Sequence, residues 1–210
     1  MMVYLSYMLI AYLLGSIPSA VWIGKRFHGK DVREFGSKNA GATNTFRVLG
    51  KKTGVVVLLL DIAKGLLTSM ISYPLFSSFF EEPSTLYSLQ VIGAVACVLG
   101  HVFPLFAGFR GGKGVATSLG LYIGINPLVS LVVLGIFVVV FLLSHYVSLG
   151  SLCAAFALPF LSYLVFHQNE QTLILLNCTL TVIVFIAHRK NVVRLLHGVE
   201  NKMNLKPPKA

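Results

Sequence analysis

Seven stretches of the chain, near residues 2–24, 54–78, 88–107, 114–126, 128–144, 149–166 and 171–187, are apolar and almost free of charge. A helical run of about 20 such residues crosses the ~30 Å hydrocarbon core of a bilayer. Only 11% of the 210 residues are charged and 56% are hydrophobic, whereas a soluble domain averages about 25% charged. The expected fold class is therefore all-α: a polytopic integral membrane protein with seven transmembrane helices. No fixed-period repeat, low-complexity segment or long linker divides it, so residues 1–210 are read as a single membrane domain.

The stretch 114–143 could instead form one helix, but that helix would run to about 45 Å. Asn126-Pro127 offers a break, because proline lacks a donor and disfavours helix at the residue before it. The distribution of Lys and Arg agrees with the split. With seven spans, residues 25–53, 108–113, 145–148 and 188–210 share one side and hold sixteen of the seventeen Lys and Arg. The other side holds none, and carries Glu81, Glu82 and Glu170. The positive-inside rule then places the N-terminus outside and the C-terminus in the cytoplasm. Residues 1–24 lack a basic n-region, so they read as a first span and not as a cleaved signal. The net charge of +10 is explained by the same loops, and with no soluble domain to present a basic face nucleic acid is not an expected partner.

Cys97, Cys153 and Cys178 sit within apolar stretches without ligand spacing, so no metal or other cofactor is expected. Asp61 and Lys64 lie inside the second span at i, i+3, where they can pair. Intramembrane charges mark a functional site or a buried structural pair, and both readings stay open.

Three polar segments interrupt the apolar chain, all on the basic side: Gly36 to Arg47, Gly108 to Gly114 and His188 to Arg194. In the first, Thr43 or Asn44 is expected to cap a short helix carrying Arg47. The amides at that helix start would form an anion nest. In the second, Lys113 stands at a helix N-terminus, where the helix dipole disfavours a cation unless an anion sits between them. It is not a nucleotide-binding loop of the Walker type, because glycine follows Lys113 and alanine stands at 107. In the third, His188, Asn191 and Arg194 fall on one helix face, and Gly198 is expected to end that helix. Each segment alone also fits a plain basic membrane-surface loop. His28, His145, His167 and His197 are given no role.

Taken together the segments are more specific. Gly-Ser-x-Asn-x-Gly-Ala-Thr-Asn-x-x-Arg from Gly36, His-x-Phe-Pro through Gly-Gly-Lys-Gly-Val-Ala-Thr from His101, and His-x-x-Asn-x-x-Arg-Leu-x-x-Gly-x-Glu from His188 resemble the bacterial PlsY family, acyl-phosphate–glycerol-3-phosphate acyltransferases. The resemblance spans the chain in order. It departs at Ala40, where the family often has proline, and at Ala187, where a basic residue is common.

The resemblance implies a seven-helix enzyme of the bacterial inner membrane, its active site facing the cytoplasm. Its substrates would be acyl phosphate and glycerol 3-phosphate, its products lysophosphatidic acid and phosphate. No cofactor, metal or protein partner is implied; membrane lipids surround the site. By position, Ser37, Arg47, Lys113, His188 and Asn191 match the catalytic and glycerol-3-phosphate residues. Gly41, Ala42, Thr43, Asn44, Gly111 and Gly112 match the acyl-phosphate cradle, and Lys38, Asn39, His101 and Arg194 complete the substrate-binding set. Glu200 closes the last motif as a structural residue. The competing expectation is a transporter of a small phosphorylated anion, although no inverted repeat accompanies it. A metal-dependent headgroup transferase would need clustered aspartates, and the chain has only Asp31 and Asp61.

Overall fold

The computed structural model describes residues 2–76 and 83–203, with side chains except at 73–76 and 83–86. Glu81, Glu82, Lys206 and Lys209, counted in the charge argument, lie outside the described residues. Every regular element among the described residues is helical. In chain order they are α1 (Met2–Gly15), α2 (Ser19–His28), α3 (Ala42–Leu49), α4 (Lys51–Phe76), α5 (Pro83–Val102), α6 (Val115–Ile125), α7 (Pro127–Ser144), α8 (Val147–Phe160), α9 (Gln171–Ala187) and α10 (Arg189–Leu196). Short 3-10 turns at Val32–Glu34 and Leu105–Ala107 shape the loops, and a π turn at Leu161–Val165 prolongs α8 beyond Pro159.

Five helical segments among the described residues are long and apolar enough to cross a membrane, and a sixth is added if α9 and α10, bent by 62°, count as one. The chain is thus a multi-pass membrane protein. The expected span 114–126 is the exception: its helix, α6, has 11 residues, about 16 Å of rise. It is short because Gly114 caps it in the left-handed conformation and Asn126 breaks it. Asn126 then caps α7 by accepting the Val129 N–H at 3.0 Å, with Pro127 in the first turn. The expected break is therefore where proline chemistry puts it.

α6 survives at this length because it is wedged against α4 in the most extensive helix contact of the fold. Gly65 and Gly120 form the crossing; a Cβ at Gly65 would overlap the Thr117 carbonyl, and one at Gly120 the Ile62 carbonyl. Small residues allow such backbone approach, which is how helices gain packing energy where lipid offers no hydrophobic drive. The main buried cluster joins Ala94, Cys97 and Val98 of α5 to Leu121 and Tyr122 of α6 and Leu176 and Leu180 of α9. α7 is mostly exposed along its length, as a lipid-facing helix is.

The four segments expected on one side meet at one end of the bundle. The Ala40 N–H donates to the Gly111 carbonyl (3.3 Å), an Arg47 N–H to the Asn201 carbonyl (3.1 Å) and the Met203 N–H to the His145 carbonyl (2.9 Å).

Candidate active site

One amide organises the loop before α3. Buried Asn44 accepts the Ser37 N–H at Oδ1 (2.8 Å), and its Nδ2 donates to the carbonyls of Val32 (2.7 Å), Phe35 (3.1 Å) and Asn39 (3.0 Å). Gly36 adopts φ 59°, and a Cβ there would overlap Asn44 Oδ1, so glycine is required. The expected cap is corrected accordingly. Gly41, not Thr43 or Asn44, is the N-cap of α3. Asn44 sits within the first turn with its side chain turned back to the loop, which it shapes.

The Gly108–Gly114 loop lies on the end of α5. The Gly111 N–H donates to the Val102 carbonyl (3.2 Å) and the Gly112 N–H to the His101 carbonyl (3.1 Å). These two amides are therefore engaged with the end of α5 and fix the backbone that leads into Lys113. Asn39 Nδ2 also reaches the Gly111 carbonyl, at 3.5 Å. Arg33 ties the two loops further, donating to the Ala107 carbonyl (2.6 Å) while Asp31 accepts from its Nε (2.9 Å) and Nη2 (2.7 Å). The Arg33 hydrogen bond holds the Asp31 carboxyl well below the usual range.

The third segment closes the site through Glu200. Lys113 Nζ donates to Asn191 Oδ1 (2.5 Å), and Asn191 Nδ2 donates to Glu200 Oε1 (2.7 Å). Ser148 Oγ donates to the same oxygen (3.1 Å), and Arg194 Nε donates to Glu200 Oε2 (2.7 Å). Gly198 (φ 69°) reverses the chain after α10, as expected, and brings Glu200 back under Asn191. Burial alone would raise the Glu200 carboxyl, but hydrogen bonds from Arg194, Asn191 and Ser148 hold it below the ordinary glutamate value.

Burial pushes the Lys113 ammonium down to about 8; Arg194 and Arg47 act in the same direction and Glu200 opposes them. Lys113 is thus a cation that a bound anion would stabilise. His188, just beyond α9, is pushed down to about 4, first by burial and then by Lys113. Its imidazole is neutral at neutral pH. Nδ1 lies 2.8 Å from the Val184 carbonyl, so Nδ1 carries the proton and Nε2 keeps its lone pair. Arg47 keeps an exposed side chain, and the partial desolvation of its guanidinium lowers it as well.

A cavity of about 620 Å³ opens among these groups. Its polar end is lined by Ser37, Asn39, Gly41, Ala42, Thr43, Asn44, Arg47, Lys113, His188 and Asn191. The starts of both α3 and α6 line it too, through Ala42–Thr43 and Val115–Ala116. First-turn N–H groups of a helix lack intrahelical acceptors and suit anions. The cavity continues as an apolar arm between α4, α6, α7, α8 and α9, past Leu58, Leu119, Val133, Phe137, Leu158 and Leu180. Lys38, Gly111, Gly112 and Arg194 do not line it. Lys38 holds a loop turn at φ 58°, and Arg194 braces Glu200. A shallower depression at another part of the bundle, among Tyr4, Tyr87 and His167–Leu173, contains none of the motif residues.

The expected Asp61–Lys64 pair forms, with Nζ 2.9 Å from Oδ1 and both side chains buried. Two partners were not legible in sequence: Ser19 Oγ donates to Asp61 (3.3 Å), and His101 Nδ1 lies 3.6 Å from it. Ser148 and the hub role of Glu200 were missed too. The only available signal for Glu200 was its fixed offset from Asn191 and Arg194, which does not reveal a chain reversal.

A polar, cationic mouth on a lipid-embedded apolar arm suits joining a soluble anion to an acyl chain. The model of the family described as glycerol-3-phosphate acyltransferase matches residues 5–198. A glycerol-3-phosphate acyltransferase of Fusobacterium nucleatum is 43% identical over 201 residues, covering 96% of this chain and 98% of that one. That of Listeria welshimeri is 45% identical over 195 residues, covering 93% and 94%. The crystal structure of PlsY (YgiH), an integral membrane glycerol 3-phosphate acyltransferase, in its glycerol 3-phosphate form, superposes with a TM-score of 0.84 at 37% identity and covers 96% of each chain. Its lysophosphatidic acid form superposes with a TM-score of 0.80 at 36% identity, covering 96% of this chain and 95% of that one. The transporter expectation finds no support among these relatives. By family model, by full-length relatives and by fold, the chain belongs to the glycerol-3-phosphate acyltransferase family.

Proposed function

We propose that the chain, a single membrane domain, transfers a fatty acyl group from acyl phosphate to the sn-1 hydroxyl of glycerol 3-phosphate, releasing lysophosphatidic acid and inorganic phosphate. The carrying observation is the convergence of Lys113, Arg47, His188 and two helix starts at the mouth of an apolar cavity. The arm would hold the acyl chain; the mouth would hold two anions that repel each other.

Acyl phosphate is already activated, so the protein's task is mainly positioning and charge stabilisation. The glycerol hydroxyl oxygen attacks the carbonyl carbon, the carbon–oxygen bond to phosphate breaks, and the hydroxyl proton passes to the departing phosphate. Lys113 stabilises the charge that grows on the carbonyl oxygen and the leaving group. Arg47 forks onto phosphate. Ser37, whose N–H is held by Asn44, aims the attacking hydroxyl. Asn191 and Glu200 hold Lys113 in register. Neutral His188 offers Nε2 as a hydrogen-bond acceptor; with its basicity so reduced, the substrate phosphate is the better proton acceptor. Asn39, Gly41, Ala42 and Thr43 line the anion site, Asn44 and His101 form part of the same cavity wall, and Lys38, Gly111, Gly112 and Arg194 support it from behind.

The same reading sets the topology: seven crossings with α6 as a short one, N-terminus outside, and the basic end in the cytoplasm of a bacterial inner membrane, where glycerol 3-phosphate is at hand. Support comes from sixteen of seventeen Lys and Arg falling in segments assigned to that side. The test is phosphate release by purified protein from palmitoyl phosphate in metal-free buffer. Release that requires glycerol 3-phosphate and accompanies lysophosphatidic acid is expected. Transfer from palmitoyl-CoA but not from palmitoyl phosphate would reject the donor.

A further inference from the structure

His101 lies beneath the Lys113 loop, at the junction of two structures that sequence treats separately. On one side its Nδ1 faces Asp61 Oδ1 at 3.6 Å. On the other, its Nε2 lies so close under Gly112 that a Cβ on Gly112 would overlap it. The imidazole is buried, and so are Asp61 and Lys64. Asp61 is satisfied without any ligand: Lys64 Nζ lies 2.9 Å away and Ser19 Oγ 3.3 Å away. Lys64 in turn donates to the Ile17 carbonyl at 3.0 Å, in the break between α1 and α2. This cluster therefore joins three helices, and its last member is the surface on which the Gly112–Lys113 backbone rests.

We propose that His101 is a positioning residue for Lys113, its ring forming the seat of Gly112 and Asp61 fixing the orientation of that seat. The inference rests on the assignment of Lys113 to the two substrate anions. Two features set this role apart from a purely structural one. The Gly112 N–H donates to the His101 carbonyl (3.1 Å), so backbone and ring of one residue both hold the loop. Lys113 follows directly, with its ammonium fixed at the far end by Asn191 at 2.5 Å. A lysine clamped at both ends is sensitive to small shifts at either, and misplacement of a catalytic group by about 1 Å can cost on the order of a hundredfold in rate.

The test compares wild type, His101→Asn, Gly112→Ala and the double variant, purified and monodisperse, with palmitoyl phosphate and glycerol 3-phosphate. Asparagine keeps a donor toward Asp61 but removes the ring beneath Gly112. For His101→Asn, kcat is expected to fall about tenfold or more, while KM for palmitoyl phosphate changes by less than about threefold, because the apolar arm is untouched. Gly112→Ala is expected to cost about tenfold in wild type and less than about twofold in His101→Asn, where its methyl has room. The pH profile gives an independent readout. Lys113 faces Glu200, Arg194, Arg47 and His188, and His101 faces Asp61 and Lys64; loosening the seat exposes Lys113 and moves the alkaline limb of kcat/KM upward.

Turnover of His101→Asn within about twofold of wild type, or an equal cost of Gly112→Ala in both backgrounds, overturns the proposal. So does an unmoved alkaline limb. If His101→Asn does not fold, Gly112→Ala, which leaves the charged cluster intact, must by itself lower kcat. A wild type silent toward palmitoyl phosphate rejects the donor assignment and this inference with it; an active wild type with additive variants rejects this inference alone.

Discussion

In the proposed reaction Lys113 concentrates the chemistry at the scale of single residues, and its environment explains why it needs a partner. It is half-buried just before α6, whose start repels a cation, and near Arg47 and Arg194, which do the same. Asn191, backed by Glu200, holds it there. Lys113→Ala should lower kcat by about two to three orders of magnitude while the protein still elutes as a folded, membrane-inserted species; near-normal turnover would reject the electrostatic account. Because burial depresses the free-enzyme ammonium to about 8, kcat/KM should fall as pH rises through that value. Bound anions favour the charged form, so the limb in kcat should lie at higher pH. A kcat/KM profile flat to pH 10 would show that Lys113 does not titrate in the rate. Ser37→Ala should slow transfer without abolishing donor binding, and an acyl-enzyme trapped on Ser37 in wild type would replace aiming with covalent catalysis.

The elements succeed or fail by how closely they approach. α4 and α6 cross where Gly65 and Gly120 face backbone carbonyls, leaving no room for a methyl. Gly120→Val should therefore part the helices and cost about 1–3 kcal/mol or more, read as a lowered thermal midpoint in detergent. The same substitution at Gly135, where nothing lies near a Cβ, should leave the midpoint unchanged. The short helices follow local rules that sequence states openly: Asn126-Pro127 opens α7, and Gly198 closes the turn after α10. α3 illustrates where such rules run short. Sequence makes Asn44 a plausible cap, but the loop behind it carries carbonyls that need donors in a buried place, and a buried amide goes where it satisfies the most groups.

For the whole molecule, the expected consequence is a two-ended bundle with chemistry at one end only. The segments around Ala40, Gly111, His145 and Asn201 are tied by hydrogen bonds at that end. Single cysteines placed at Lys52 and Lys202 in a chain with its own three replaced should react with a membrane-impermeant maleimide only after the cell is opened. Labelling at either site in intact cells would reverse the proposed orientation. The apolar arm should also limit the acyl chain. Leu158→Trp, deep among Val133, Leu180 and Tyr122, should favour shorter acyl phosphates over palmitoyl phosphate, and an unchanged preference would place the chain elsewhere.

Apolar run length, proline position and the distribution of Lys and Arg are local quantities, so the membrane class, most helix boundaries and the expected sidedness follow from the residues in order. The three polar motifs could be read the same way, because their glycine, polar and basic residues cluster along the chain. Sequence could not show that Gly111 and Gly112 spend their amides on α5, that Glu200 returns beneath Asn191, or that His101 bridges Asp61 and the lysine loop. Each is decided by hydrogen-bond satisfaction and close packing between segments far apart in the chain. Those depend on which groups the folded bundle brings within about 3 Å of one another, and only the tertiary structure sets that.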